Sequence, residues 1–287
     1  MSNLEISRAE RLDQRVVSLV PSLSRAYAAR LVEDGKVMLN GKQVTKPGQK
    51  IKPEDIVEVE YSEAEQQAIP DIELPILYED DDCVVIDKPV GLLTHSKGAF
   101  NPEATVATWL RSRVKHMEGE RAGIVHRLDR ATSGVMICAK TPEALSWLQK
   151  QFAQRRTKKT YIAVIEGVLQ PEQAVIDMPI ERNPKKPQTF RVGANGKSSI
   201  THYKVLESSH RYSEVELKPE TGRTHQLRVH LAHQHHPILG DTFYGGKPAD
   251  RLYLHALSLE LTLPNRERKV FTTTLPKEFY ERISGDK

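Results

Sequence analysis

One carboxylate in this chain is set apart by its neighbours. Asp129 lies in His126-Arg127-Leu128-Asp129-Arg130-Ala131-Thr132-Ser133-Gly134, after apolar Gly123-Ile124-Val125 and before apolar Val135-Met136-Ile137-Cys138-Ala139. Arginines on both sides favour the ionised form. An anion suits a nucleophile or a group that stabilises developing positive charge, and a loop carried by strands is a common seat for either. A purely structural salt bridge fits the same residues. Three further segments carry reactive side chains. Lys158-Lys159-Thr160-Tyr161 places a phenol at the start of an apolar run, and Gly222-Arg223-Thr224-His225-Gln226-Leu227-Arg228-Val229-His230 concentrates bases after a glycine. Lys88-Pro89-Val90-Gly91-Leu92-Leu93-Thr94-His95 is a turn between apolar residues. Each of these alone has an ordinary packing explanation.

The surrounding elements must hold those groups. Leu12, Val16, Leu19 and Val20 recur at helical spacing, and Ser24 is an N-cap for a helix from Arg25 to Glu33 with Ala28, Leu31 and Val32 inward. Gly35 stops it. Val37–Val44 reads as a hairpin turning at Asn40-Gly41, and Asp55–Tyr61 as a last strand. Farther on, Cys83–Asp87, Tyr161–Ile165, Ser199–Leu206, Ser213–Leu217 and Leu252–Leu261 read as strands. Thr105–Met117 reads as a helix. Another starts at Thr141-Pro142-Glu143, with Leu145, Leu148 and Phe152 on its inner face. Strands with few intervening helices predict an α+β sheet domain rather than a doubly wound parallel one. Arg182–Lys197 holds five bases and no acid, and its prolines and glycines predict a mobile loop.

The charge is unevenly distributed. Residues 1–62 carry a net +1, residues 63–82 a net −8 with no base at all, and residues 83–287 a net +11. A basic body favours a polyanionic partner. The acidic, proline-marked stretch 63–76 suits a linker between domains at 11–62 and 77–283. No run approaches the ~18 apolar residues of a membrane span, and the N-terminus lacks a secretory pattern. With only Cys83 and Cys138, both in apolar runs, the expectation is a reduced cytoplasmic protein, away from membranes and monomeric.

Several spaced motifs give a resemblance. Residues 11–62 resemble an S4 RNA-binding module through Arg11-Leu12-Asp13, Ser24-Arg25, Ala29-Arg30-Leu31-Val32, Gly35-Lys36-Val37 and Asp55-Ile56-Val57. Residues 77–283 resemble the RluA-type pseudouridine synthases through five features. These are Lys88-Pro89 with Gly91-Leu92, the His126–Gly134 stretch, Lys159-x-Tyr161-x-Ala163, Gly222–His230, and Pro237-Ile238-Leu239-Gly240-Asp241 with Leu254-His255-Ala256. The resemblance implies a mixed, mainly antiparallel sheet and isomerisation of uridine to pseudouridine in RNA, without metal or organic cofactor. Large-subunit ribosomal RNA is the expected substrate and transfer RNA the alternative. It implies Asp129 as the single essential carboxylate, paired with Arg223, whether it attacks sugar, attacks base or abstracts a ribose proton. Tyr161 is expected to stack on the target uracil and Leu227 to pack against its other face. Arg127 would fill the gap left by a flipped nucleotide, next to His126 at the substrate. Arg25, Arg30, Lys36, Lys185 and Lys186 would meet phosphates, and Arg130 would be either structural or a phosphate contact.

Other chemistries fit less well. Five histidines between His225 and His236 suggest a metal, but no His-Glu-x-x-His or cysteine pair accompanies them. His126-Arg127-Leu128-Asp129 has the wrong spacing for a kinase loop and no glycine-rich phosphate loop precedes it. A catalytically silent S4-type RNA-binding protein is the remaining alternative. The intact Asp129, Tyr161 and Arg223 set speaks against it.

Overall fold

A computed structural model describes residues 10–21, 23, 25–61, 69–96, 103–117, 119 and 121–285. Ser24, the predicted N-cap, and residues 62–68 of the predicted linker lie outside the described residues. The chain divides into two compact units, Met1–Asp71 with His95–Thr108, and Ile72–Thr94 with Trp109–Lys287.

The first unit contains β1 (Glu10–Arg11), α1 (Leu12–Leu19), α2 (Arg25–Glu33), β2 (Val37–Leu39), β3 (Lys42–Gln43), β4 (Lys50–Ile51) and β5 (Val57–Val59). Leu12, Val16, Ala28, Leu31 and Val32 are buried together with Val37 and Ile51, so the helical spacing marks the packed faces of both helices. Leu19, by contrast, is exposed. The β2–β3 hairpin turns at Asn40 and Gly41, both with positive φ. That is the backbone a two-residue hairpin needs to match strand twist.

The second unit is a nine-stranded sheet with its helices. After β5 the chain runs through β6 (Ile76–Glu79), β7 (Cys83–Lys88), α3 (Val106–Leu110), β8 (Ser133–Ala139), α4 (Pro142–Ala153), β9 (Lys158–Glu166) and β10 (Gln173–Asp177). There follow β11 (Ile180–Arg182), β12 (Phe190–Val192), β13 (Ile200–Ser208), β14 (Tyr212–Pro219), α5 (Gln226–His233), β15 (Leu254–Thr262), β16 (Arg268–Thr272) and α6 (Lys277–Ser284). The strand order is β10-β13-β14-β9-β15-β8-β7-β6, and β16 also pairs with β15. Among the described residues of this sheet, β8–β15 is the one parallel pair. The sheet is therefore mixed and mainly antiparallel, in an α+β arrangement. All seven residues of β8 are buried, which accounts for its unbroken apolar sequence. Thr141 caps α4 by accepting from Ala144 N (3.2 Å), with Pro142 at the first position.

Two expectations change. The helix predicted over Thr105–Met117 is short: α3 ends at Leu110, and Lys115 N donates to Lys140 O (2.7 Å) instead of continuing a helical ladder. Tertiary pairing outweighs local propensity there. The basic segment 182–197 is not a structureless loop. β11 and β12 form an antiparallel hairpin across it, closed by Asn183 N to Thr189 O (3.0 Å) and Thr189 N to Lys186 O (2.8 Å).

Sheet register brings distant residues to one level. Gly134 pairs with Ala256, Ala256 with Tyr161, and Tyr161 with Leu217. Strands lie about 4.8 Å apart, so the exit of the Asp129 loop and Tyr161 stand roughly 10 Å apart across one intervening strand. A Cβ on Gly134 would lie 2.2 Å from Ala256 O, and its φ is +115°. That position admits only glycine without distortion.

Candidate active site

The Asp129 loop is fastened on several sides. Thr132 N donates to Asp129 O (3.0 Å) and closes the turn itself. Thr94 brackets Leu128: its hydroxyl donates to Leu128 O (2.8 Å) and accepts from Leu128 N (3.3 Å). Gly91 N donates to Arg130 O (2.9 Å). Fully buried Lys88 completes the bracket, its ammonium donating to Pro89 O (2.9 Å), Leu92 O (2.8 Å) and Arg130 O (3.4 Å). Burial pushes that ammonium down to about 8, and the negative charge of Asp129 opposes the shift. The Lys88–Thr94 turn thus serves the carboxylate by holding the backbone on both sides of it.

His126 is bonded to the strand that follows the loop. Its Nε2 accepts from Ile137 N (3.1 Å), and its ring stacks on Phe152 with centroids 4.5 Å apart. Burial, with the charge of Lys159, pushes the imidazole down to about 3. A neutral acceptor ring is what the Ile137 N–H requires. His126 thus pins the loop on β8, and it also lines the cleft around Asp129.

The partner of Asp129 is Arg228 rather than Arg223. Arg228 Nη1 lies 3.5 Å from Asp129 Oδ2. Arg223 instead donates through Nε to Ser198 O (3.1 Å). The reason is local backbone geometry. His225 takes a left-handed conformation (φ +56°) immediately before α5, which leaves Arg223 in the preceding turn and puts Arg228 in the first turn of the helix. Gln226 locks that turn. Its Oε1 accepts from Thr221 Oγ1 (2.6 Å) and Arg223 N (3.0 Å), and its Nε2 donates to Ile200 O (2.9 Å) and Thr201 Oγ1 (3.0 Å).

Arg228 is itself held as a fork. Nε and Nη2 each donate 2.7 Å bonds to the two oxygens of Asp241, which is 1% exposed. Bidentate pairing of this kind fixes the guanidinium plane and leaves the third nitrogen directed at Asp129. Asp241 is the acid of the Pro237–Asp241 segment. Its function as the clamp of Arg228 is legible only once the two segments meet.

Around the carboxylate is a cleft of about 480 Å³ lined by Arg127, Asp129, Lys159, Tyr161, Arg223 and Leu227 among others. This is within the usual range for small-molecule sites. Burial and then the charge of Asp129 raise the Tyr161 phenol above its ordinary value, so it stays protonated. Lys159 donates to Thr221 O (3.1 Å), and burial with nearby Arg155 pushes its ammonium down to about 8.

Known proteins share this arrangement of sequence. The family model described as RNA pseudouridylate synthase matches residues 82–233, and the S4 domain model matches residues 10–57. The chain is 37% identical over 301 residues to the ribosomal large subunit pseudouridine synthase D of Yersinia pestis, spanning 98% of this chain and 92% of that protein. The protein of the same name from Haemophilus influenzae is 38% identical over 302 residues, spanning 96% and 91%. The chain belongs to the RNA pseudouridine synthase family. It is accordingly an isomerase. The solved structure of human RNA pseudouridylate synthase domain containing 1 matches with TM-score 0.59 and 31% identity over 70% of this chain and 83% of that one. That of domain containing 4 matches with TM-score 0.58 and 31% identity over 72% and 90%.

In this synthase the remaining predicted residues are dispersed. Arg127 is exposed at the cleft, and Leu227 is buried in its wall. Lys185 and Lys186 are exposed in the connection of the β11–β12 hairpin. In the S4 unit, Arg25 Nε lies 3.1 Å from buried Asp13, and Arg30 Nε lies 3.7 Å from Asp34. Five residues apart on α2, these two arginines project roughly 140° from one another, so they cannot form one stripe. Lys36 is half-exposed. Of the crowded histidines, His225 bonds Tyr244 Oη (2.7 Å), His230 bonds Thr201 Oγ1 (2.9 Å) and Met178 O (3.0 Å), and His236 bonds Glu166 O (2.8 Å). These rings turn to different partners, and no group of three metal-ligating side chains forms among the described residues. No helix among those residues is long and apolar enough to cross a membrane.

Proposed function

We propose that this synthase isomerises uridine in large-subunit ribosomal RNA, with Asp129 as the reacting carboxylate on a flipped-out nucleotide. The carrying observation is the placement of Asp129 in the cleft, with Arg228 Nη1 3.5 Å from it and with Tyr161 and Leu227 lining the same cleft. The substrate follows from relatives along nearly the whole chain that are named for the large ribosomal subunit.

The chemistry defines what the residues must do. The N1–C1′ bond of uridine breaks, the uracil turns, and C5 joins C1′. Water must stay out and the detached base must stay in. One carboxylate therefore suffices, where a glycosidase uses two so that water can be activated. Neither C1′ nor N1 is accessible inside a stacked helix, so the nucleotide has to leave the stack at a cost of roughly a few kcal/mol. Tyr161 then stacks on the uracil, Leu227 covers its other side, and exposed Arg127 enters the space the nucleotide vacates. Arg228, clamped by Asp241, holds the carboxylate in place. Lys185 and Lys186 on the hairpin meet phosphates, as do Arg25, Arg30 and Lys36 of the S4 module. The domains act as 11–62 and 77–283 joined through 63–76, in a monomeric enzyme of the cytoplasm.

Mapping pseudouridine in ribosomal RNA from cells with and without the gene tests the substrate. Loss of one or more pseudouridines from large-subunit RNA is expected. Loss confined to transfer RNA would overturn it.

A further inference from the structure

A second group faces the carboxylate beside Arg228. His225 Nε2 lies 3.8 Å from Asp129 Oδ2, the same oxygen that Arg228 approaches. His225 precedes α5 in N-cap position, yet its side chain makes no cap hydrogen bond, and its backbone takes the uncommon left-handed form. A non-glycine residue held in that conformation marks a position that the surrounding structure enforces. Here the conformation turns the ring away from its own helix and toward Asp129.

The other ring nitrogen is held by a chain of bonds. Phe190 N, on β12 of the basic hairpin, donates to Tyr244 Oη (3.0 Å), and Tyr244 Oη lies 2.7 Å from His225 Nδ1. The Phe190 ring also meets the His225 ring edge-on, with centroids 5.7 Å apart. The phenol has one hydrogen to give. Given to Nδ1, it leaves the imidazole proton on Nε2, facing an anion. The opposite tautomer would set a nitrogen lone pair against the carboxylate lone pairs. Burial favours the neutral ring, while Asp129 and Asp241 oppose that preference and Arg228 and Arg127 support it.

We propose that His225, fixed as its Nε2–H tautomer by Tyr244 and the Phe190 N–H, is a positioning residue for Asp129, so that the basic hairpin is part of the catalytic wall. Arg228 supplies charge to Oδ2, and His225 supplies a neutral, directional N–H to the same oxygen. The proposal rests on Asp129 being the reacting group.

Two readouts keep the proposals apart. Long-range proton–nitrogen spectra of the full-length protein with labelled histidine report the tautomer without any turnover. Nε2–H is expected for His225 in the wild type, with a mixture in Tyr244→Phe. Single-turnover tritium release at saturating RNA is expected to fall about tenfold in Tyr244→Phe and more in His225→Ala, with RNA affinity within twofold. His225→Gln, which retains a donor at the Nε2 position, is expected to exceed His225→Asn, which does not. An Nδ1–H tautomer in the wild type, or equal rates for Gln and Asn, would overturn the proposal. So would rates for Tyr244→Phe within twofold of wild type. Full release by Asp129→Asn would instead remove the reading on which it rests.

Discussion

Replacing Asp241 by Asn should disable the enzyme by releasing Arg228 from its clamp. Arg228 and Asp241 are 8% and 1% exposed at their side chains and share two 2.7 Å bonds. Asn keeps one acceptor and turns an amide donor toward a guanidinium donor. Breaking a buried pair of this kind costs about 3–5 kcal/mol, and the isosteric change should fall near the lower end, about 3 kcal/mol. The released fork has a nearby alternative: Asp129 Oδ2 is 3.5 Å away, and closing to an ordinary charge-assisted bond of ~2.8 Å moves the pair by under an ångström. Misplacement on that scale costs roughly a hundredfold in rate. Tritium release from RNA labelled at uridine C5 should therefore drop about a hundredfold at saturating RNA, with affinity almost unchanged because Arg228 is buried. Urea unfolding measures the stability loss. The double variant Arg228→Met with Asp241→Leu separates the two effects, since apolar replacement of a buried pair is often neutral for stability. It should fold and remain inactive. An Asp241→Asn enzyme that is destabilised but turns over normally would refute the clamp.

Three further outcomes follow from the same geometry. Arg223→Ala should retain the rate within a few-fold while Arg228→Ala loses it, because Arg223 bonds Ser198 O rather than Asp129; single-turnover release distinguishes them. Lys88 has a folded value of about 8 against an ordinary 10.5, so burying its charge costs about 3 kcal/mol below pH 8. Between about pH 8 and 10.5 the unfolded chain holds the proton that the folded one has lost, so wild type should gain stability over Lys88→Met as pH rises, by up to about 1.4 kcal/mol per pH unit. Urea titrations of both across that range test the sign. Lys185→Ala with Lys186→Ala should reduce the dependence of log affinity on log salt by about 1.5, from two phosphate contacts at 0.7–0.9 each, as filter binding would show.

Much of the fold was legible because its elements carry local signals. The apolar spacing of α1 and α2, Asn40-Gly41 at the hairpin, Thr141-Pro142 at the start of α4 and the unbroken β8 each state their conformation in a few residues. β10 and β16 were not legible, being strands of only five residues with polar or charged ends, stabilised by their neighbours in the sheet. Asp129, Tyr161 and Leu227 were legible from motif order, and the structure gathers them in one cleft. The choice between Arg223 and Arg228 was not. Both occur in one nine-residue segment, and the difference is made by the left-handed His225 and by an acid, Asp241, thirteen residues beyond Arg228. His126 was legible as a residue of the cleft, whereas its bond to one backbone N–H of β8 depends on how the loop folds back on that strand.

The central claim is that Asp129 performs the isomerisation of uridine in RNA. Tritium release from C5-labelled ribosomal RNA by wild type and by Asp129→Asn, at equal and saturating binding, tests it most directly. The wild type must release the label as C5 becomes the glycosidic carbon, and Asp129→Asn must bind the RNA without releasing it. Equal release by both proteins, or none by the wild type, would contradict the account.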